Sequence, residues 1–170
     1  ITNYVGYAAT GLGALSYNLD GYHMTKVGHQ RPDPQIELGQ QLRQLGIHSM
    51  NDISDGLGSE LNEIASASNV SIVIEEKAIP LHEETYELAK YLQTNPVDYA
   101  LYGGEDFQLV FTAPKSLLSK LENLAGITII GEVVSGPAQV QMVTPDKTIK
   151  TIEAKGYNPV SYTHLRAHET

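Results

Sequence analysis

The stretch Asp-Ile-Ser-Asp-Gly-Leu at residues 52–57 marks a predicted change from strand to helix. Alternate side chains of a strand share a face, so Asp52 and Ser54 point the same way while Ile53 points into the core. Asp55 then falls where a helix begins. The free N–H groups of a helix N-terminus suit an anion, and the glycine that follows allows close approach. These six residues predict both the local fold and a candidate site.

Outward from this stretch, helical and strand-like segments alternate along the chain. Apolar spacing predicts helices over residues 8–19, 35–45, 56–68, 83–92 and 114–124. β-branched or alternating segments predict strands over residues 48–53, 70–74, 97–101, 107–111, 127–134, 140–143 and 148–152. The expected fold class is therefore α/β (α+β), a mixed sheet with helices packed on it.

Composition restricts the class of protein. The chain has 170 residues, 41% of them hydrophobic, which suffices for one core and favours one domain. Its 20 acidic and 11 basic side chains give a net charge of -9, which disfavours nucleic acid and anionic membranes. The sequence contains no cysteine and no apolar stretch near the roughly 20 residues of a membrane helix. We expect a soluble, cytoplasmic protein.

Both ends of the sequence look cut from, or joined to, something else. Residue 1 lies on a strand-like run with no initiator methionine or signal sequence. Residues 159–170 resemble a translated sequencing adapter, so residues 1–158 are expected to form the domain and the remainder a foreign tail. His164 and His168 stand four apart in that tail, but no glutamate directly follows His164 as zinc motifs of that spacing require. We assign no catalytic histidine and no catalytic residue of any other type.

The chemistry of the first motif depends on its two carboxylates. Asp52 and Asp55 would repel a bare phosphate. A magnesium ion that bridges the carboxylate and phosphate oxygens would remove this repulsion. A simpler interpretation is that Ser54 or Asp55 only caps a helix. The stretch by itself leaves both interpretations open.

A second motif, Gly-Gly-Glu-Asp-Phe at residues 103–107, lies between two predicted strands. Its double glycine allows backbone angles closed to other residues and a close approach to a ligand, while Glu105 and Asp106 add acceptors. The alternative is an ordinary hairpin turn with solvated charges. This motif by itself is also undecided.

Taken in order, the motifs resemble thiamine-monophosphate kinase over nearly all of residues 1–158. The resemblance rests on residues 31–34, 52–57, 103–107, 129–133 and 155–157. That family shares a superfamily with aminoimidazole ribonucleotide synthetase, selenophosphate synthetase and a hydrogenase-maturation protein. Each has an amino-terminal dimerising half and a carboxy-terminal α/β half, and this chain resembles the carboxy-terminal half.

The resemblance implies a role for each matching residue. Asp52 and Asp55 match positions that ligate magnesium, and Ser54 matches a position that contacts ATP. Glu105 and Tyr157 match positions that contact the thiamine phosphate, where an acidic group faces the cationic thiamine and an aromatic ring packs on it.

The implied reaction is ATP- and Mg²⁺-dependent phosphorylation of thiamine monophosphate to thiamine diphosphate. The implied partners are ATP, thiamine monophosphate and the missing amino-terminal half, in an enzyme that is a homodimer at full length. The chain alone is expected to fold but to be inactive. Two alternatives remain open: a sibling ATP-dependent enzyme of the superfamily, and a non-catalytic module that binds anions or proteins.

Four positions depart from the family pattern. Asn3 and Tyr7 replace a glycine and an aspartate near the start, and Phe107 replaces the commoner tyrosine. Asn158 stands where the family has an aspartate, just before the abrupt tail. The resemblance therefore implies no role for an aspartate at position 7, and it does not extend to the residues after Tyr157 that end the family pattern.

Overall fold

A computed structural model describes residues 1–155 of the chain, and these residues form helices and two small sheets. The helices are α1 (Tyr7–Ser16), α2 (His23–Gln30), α3 (Ile36–Gln44), α4 (Leu57–Ser68), α5 (Glu83–Leu92), α6 (Pro96–Tyr102) and α7 (Leu118–Glu122). The strands are β1 (Ser49–Asp52), β2 (Ser71–Glu75), β3 (Leu109–Thr112), β4 (Gly131–Val134), β5 (Gln139–Val143) and β6 (Ile149–Thr151).

The larger sheet has the strand order β4-β2-β5-β6 and is mixed. β2 runs parallel to β5 and antiparallel to β4, while β5 and β6 are antiparallel. The smaller sheet is an antiparallel ribbon of β1 and β3, in which Asp52 lies opposite Leu109. The expected mixed sheet with packed helices is therefore confirmed, and the first motif lies at the end of the separate ribbon.

The main core is formed where α4 packs against β5 and α6. Leu57, Leu61, Ile64 and Ala65 are buried at helical spacing along α4. Ile72 and Ile74 of β2 and Val140 and Met142 of β5 supply the sheet side of the same cluster, as alternation in a strand requires. This packing anchors the start of α4, which directly follows the first motif, on the main core.

A second, smaller cluster lies beside the β1–β3 ribbon. Its buried members are Leu42 of α3, Ile47 and Leu121 of α7. Leu109 and Phe111 of β3 pack against them. The ribbon that carries the first motif is therefore supported by α3 and α7 on this side, with the main core on the other.

The prediction of a strand over residues 97–101 was wrong, because this segment is helix α6. The Asn95 side chain accepts a hydrogen bond from the Val97 N–H at 3.2 Å, and Pro96 occupies the first turn. Both features are typical of the start of a helix. Val97, Ala100 and Leu101 are buried at helical spacing. The apolar run was mistaken for a strand because short apolar runs satisfy both periodicities.

Helix α2 was not predicted, and the predicted helix over residues 114–124 is broken into a 3₁₀ turn at Lys115–Leu117 and the short α7. The α2 sequence has few apolar residues, and its two larger ones, Met24 and Val27, are exposed. Its first turn is held from outside by Glu84 of α5. A tertiary contact thus supplies what the local sequence does not show.

Candidate functional site

The first motif leaves β1 at Asp52 and turns sharply into α4. Ile53 is fully buried, as predicted, while Asp52 is exposed and Ser54 and Asp55 are half-buried. The residue that caps α4 is Gly56, with φ of 96°, so neither Ser54 nor Asp55 occupies the cap position that the simpler interpretation gave them. A Cβ at Gly56 would lie 2.7 Å from the carbonyl oxygen of Leu101, which explains the glycine.

The two motifs are hydrogen-bonded to each other through their backbones. The Glu105 N–H donates to the Ser54 carbonyl at 2.9 Å, and the Phe107 N–H donates to the Ile53 carbonyl at 2.9 Å. The Ile53 N–H donates in turn to the Gln108 carbonyl at 2.7 Å. Residues about fifty positions apart in sequence therefore form one continuous surface, which brings Ser54 and Glu105 together.

The double glycine of the second motif allows close packing of backbone on backbone. A Cβ at Gly104 would lie 2.3 Å from the Ser54 carbonyl oxygen, and one at Gly103 would lie 2.3 Å from that of Tyr99. Contacts this short are not available to any other residue type. The sequence predicted a close approach to a ligand, whereas in the described residues the two glycines pack closely against the protein itself, at Ser54, Tyr99 and Ala9.

The prediction that the second motif could be an ordinary hairpin turn was wrong. The motif follows helix α6, and its aspartate, Asp106, is 5% exposed. One carboxylate oxygen accepts from the Gly6 N–H at 2.6 Å and the other from the Ala8 N–H at 2.8 Å. Burial raises the pKa of Asp106 to about 6, while the hydrogen bonds from the first turn of α1 act in the opposite direction.

Glu60 is a carboxylate at the site that the sequence analysis missed. It is 3% exposed in the first turn of α4 and accepts from the Asp55 N–H at 3.3 Å, the Ser54 hydroxyl at 3.4 Å and the Asn51 amide. Burial raises its pKa, a hydrogen bond from Asp55 lowers it, and the charges of Glu63, Asp55 and Asp52 raise it further. The acidic first turn after residues 52–57 was the available signal.

The carboxylates at this junction match the chemistry of magnesium only in part. Within residues 1–155, no three acidic or histidine side chains lie close enough to hold a metal by themselves. Magnesium usually takes one or two carboxylates, with water and substrate phosphate oxygens completing its shell. Asp52 and Asp55, which are accessible and lie beside Glu60, fit such a partial donor set.

The departures at the start of the chain have structural roles. The Tyr7 ring packs against α2 at Gly28, so closely that a Cβ on Gly28 would lie 2.3 Å from the ring. The same ring contacts the His82 ring edge-on, with 5.3 Å between the two ring centroids. Tyr4 stacks on Tyr7 with ring centroids 6.1 Å apart. The aspartate expected at position 7 is thus replaced by an aromatic contact between helices.

Tyr157, the second predicted substrate contact, lies outside the described residues. The chain before it passes α4, where the Asn62 side chain donates to the Ile152 carbonyl at 2.9 Å. The Lys155 ammonium then lies 5.8 Å from the ring centre of Tyr102, the residue before the second motif. Glu105 is exposed on that motif.

Residues 7–143 match the family model described as AIR synthase related protein, C-terminal domain. Among curated proteins, the chain is 38% identical over 135 residues to the thiamine-monophosphate kinase of Bacillus subtilis, covering 76% of this chain and 40% of the relative. It is 50% identical over 93 residues to the thiamine-monophosphate kinase of Pyrococcus horikoshii, covering 52% and 27%. The chain therefore spans less than half the length of these relatives.

Solved structures agree with the sequence relatives. The chain matches a structure described as AaThiL complexed with AMPPCP and TMP, with a TM-score of 0.75, 31% identity, and 92% and 48% of the two chains covered. It matches the Escherichia coli hydrogenase maturation protein HypE with a TM-score of 0.71 and 19% identity, over 93% and 49% of the chains. The second likeness concerns the fold alone.

Proposed function

The chain belongs to the family of AIR synthase related proteins, whose C-terminal domain it matches, and from this we propose that it supplies the carboxy-terminal half of a thiamine-monophosphate kinase. The complete enzyme transfers the γ-phosphoryl group of ATP to the phosphate of thiamine monophosphate and forms thiamine diphosphate. Residues 1–158 are the domain that contributes to this reaction.

One observation carries the proposal: the backbone hydrogen bond between Glu105 and the Ser54 carbonyl, at 2.9 Å. It joins the motif assigned to metal and nucleotide to the motif assigned to thiamine. A kinase must align a donor and an acceptor, and two binding motifs in one rigid arrangement are the structural requirement for that alignment.

The acidic junction is suited to phosphate only when cations accompany it. We assign Asp52 and Asp55 as magnesium ligands and Ser54 as an ATP contact. Bound magnesium would neutralise the charge of the phosphoryl groups that meet there. Glu60, buried beside them and hydrogen-bonded to Ser54 and Asp55, holds the junction in shape and adds negative potential that favours a divalent cation.

Glu105 and Tyr157 are assigned to thiamine monophosphate. The exposed Glu105 carboxylate attracts the positive charge of the thiamine ring system, and the Tyr157 ring would pack on it. No protein base is needed, since the acceptor phosphate is already ionised near neutral pH.

We assign the remaining partners and the location to the complete enzyme. It contains an amino-terminal half, forms a homodimer and works in the cytoplasm. No helix within residues 1–155 has both the length and the apolar character to cross a membrane. We expect the isolated chain to be inactive because the amino-terminal half contributes most of the nucleotide site.

The proposal is tested by joining this chain to the amino-terminal region of the Bacillus subtilis relative. We expect the fusion to form thiamine diphosphate from ATP and thiamine monophosphate, and the purified chain alone to form none. Asp52→Asn or Asp55→Asn should leave the metal-free melting temperature unchanged and raise the magnesium concentration needed for half-maximal rate at least tenfold.

Glu122→Gln is the matched control, since it removes an exposed carboxylate from α7 in the fusion. It should alter neither the rate nor the magnesium requirement. If both aspartate variants also behaved like this control in an active fusion, the metal assignments of Asp52 and Asp55 would be withdrawn. Turnover by the isolated chain would contradict its predicted inactivity.

A further inference from the structure

The Asp106 carboxylate connects three separate parts of the chain, and the proposed function gives it no role. It accepts hydrogen bonds from the Gly6 and Ala8 N–H groups at the start of α1, at 2.6 and 2.8 Å. Its chain neighbours Glu105 and Phe107 donate to the carbonyls of Ser54 and Ile53. Asp106 therefore lies between α1 and the junction of β1 with α4.

The position that Asp106 occupies is one that a ligand phosphate could otherwise take. The first N–H groups of a helix have no partner within the helix and attract anions. In α1, two of these groups already bond to the buried Asp106 carboxylate. An internal side chain thus fills this anion position, and the contact is part of the protein framework.

The backbone on either side of Asp106 requires restraint. Glu105 has φ of 70° and Phe107 has φ of 50°, both in the left-handed region that residues with a Cβ rarely adopt. Such conformations persist when the surrounding structure holds them. The restraints on this loop include the two backbone bonds to residues 53 and 54 and the two bonds that Asp106 makes to α1.

We propose that Asp106 is a positioning residue, which holds the loop of residues 103–107 against α1 and thereby fixes Glu105 beside Ser54. The step from an oriented Glu105 to recognition of thiamine rests on the proposed function. The orientation itself does not, because it is a property of the chain without ligand. The two statements can therefore fail separately.

Amide hydrogen exchange of the 170-residue chain, followed by NMR without ligand, tests the orientation. In Asp106→Asn, the Glu105 N–H should exchange at least tenfold faster than in the unmodified chain, because the loop has lost its restraint. The Ile47 N–H, which bonds to the Leu42 carbonyl at 3.1 Å in the second core, should keep its rate. A role confined to capping α1 would accelerate the Thr10 N–H and leave Glu105 unchanged.

Glu84→Gln is the matched control, because Glu84 also bonds to the first turn of a helix but is distant in sequence from both motifs. It should leave the exchange rate of Glu105 unchanged. The proposal is overturned if Asp106→Asn leaves Glu105 as protected as before, if Glu105 and Ile47 accelerate equally, or if Glu84→Gln has the same effect on Glu105.

If Asp106→Asn does not fold, the unmodified chain decides the question. Native-state exchange at increasing urea gives an opening free energy for each amide. The amides of Gly6, Ala8 and Glu105 should open with one shared free energy and one shared urea dependence. Different values for Glu105 and for the α1 amides would show that Asp106 does not couple them, and would overturn the proposal.

Discussion

Two carboxylates hold the first turns of the two neighbouring helices α1 and α2, in very different surroundings. Asp106 is buried and bonds to the N–H groups of Gly6 and Ala8. Glu84 is half-buried and bonds to the N–H groups of Met24 and Thr25, at 3.3 and 2.8 Å, and to the Thr25 hydroxyl at 2.7 Å.

As a result, the pKa values of the two carboxylates shift in opposite directions. Burial dominates for Asp106 and raises its pKa to about 6. Burial also raises the pKa of Glu84, but hydrogen bonds from Thr25 and Met24 and the charge of His82 outweigh it, so the net pKa is lowered. The comparison shows that the same contact with a helix N-terminus has opposite electrostatic consequences according to how much water remains.

The largest effect is expected when the Asp106 side chain is removed. Asp106→Ala leaves two buried N–H groups without their acceptor, at about 1–3 kcal/mol each, so the free energy of unfolding at pH 4, below the raised pKa of Asp106, should fall by about 2–6 kcal/mol. Urea denaturation followed by circular dichroism measures this. A loss no larger than that of Glu84→Ala would remove the distinction between the two sites.

The second effect is the pH dependence of stability. Because the folded pKa of Asp106 is about 6 against an ordinary 3.8, its contribution is fully present below pH 3.8 and is lost as pH rises through about 6, about 3 kcal/mol in total. Glu84 has a lowered pKa, so its contribution is present above pH 4.5 and is lost as pH falls through the folded pKa.

A variant with an uncharged side chain isolates the pH-dependent contribution of each carboxylate to stability. Relative to Asp106→Asn, the unmodified chain should lose stability as pH rises from 4 to 7. Relative to Glu84→Gln, it should gain stability as pH rises through the acid range. Unfolding midpoints measured at each pH give both curves, and slopes of the same sign would contradict the comparison.

A smaller effect is expected at Glu105, the exposed neighbour of Asp106. In the fusion with the amino-terminal region, Glu105→Gln should raise KM for thiamine monophosphate about tenfold and leave KM for ATP nearly unchanged, since glutamine keeps the shape but loses the attraction to a cation. The stability of the chain should not change, because Glu105 is exposed. Equal changes in both Michaelis constants would count against the substrate assignment.

The smallest effect is expected at α2. Glu84→Gln keeps one acceptor oxygen for the Thr25 N–H but loses the charge and the acceptor of the Met24 N–H at 3.3 Å, so the loss at pH 7 should stay below about 1 kcal/mol. KM for both substrates in the fusion should be unchanged. A change in KM for thiamine monophosphate would mean that α2 is also coupled to the site.

Local sequence chemistry was sufficient for several parts of the molecule. The burial of Ile53 and the helix after residue 56 followed from strand and helix periodicity, and both are confirmed. The apolar face of α4 was likewise visible as a pattern. These features depend on neighbours a few residues apart, so the order of residues contains the information needed.

Other features were missed because they depend on distant residues. Helix α2 is held by Glu84, some sixty positions later. The error at α6 had a local cause instead, because a short apolar run satisfies both periodicities and the start signal of Asn95 and Pro96 was overlooked. The burial of Glu60 could not be inferred either, since a glutamate in a first turn is usually solvated.

The fold class, the family and the two motifs could be predicted from residue identities and their order alone. The contacts of each acidic residue, in contrast, depend on how the chain folds. Of the adjacent pair Glu105 and Asp106, one is exposed at the candidate site and the other is buried against α1. A sequence shows two neighbouring carboxylates, whereas their difference arises from desolvation and from N–H groups about a hundred residues away.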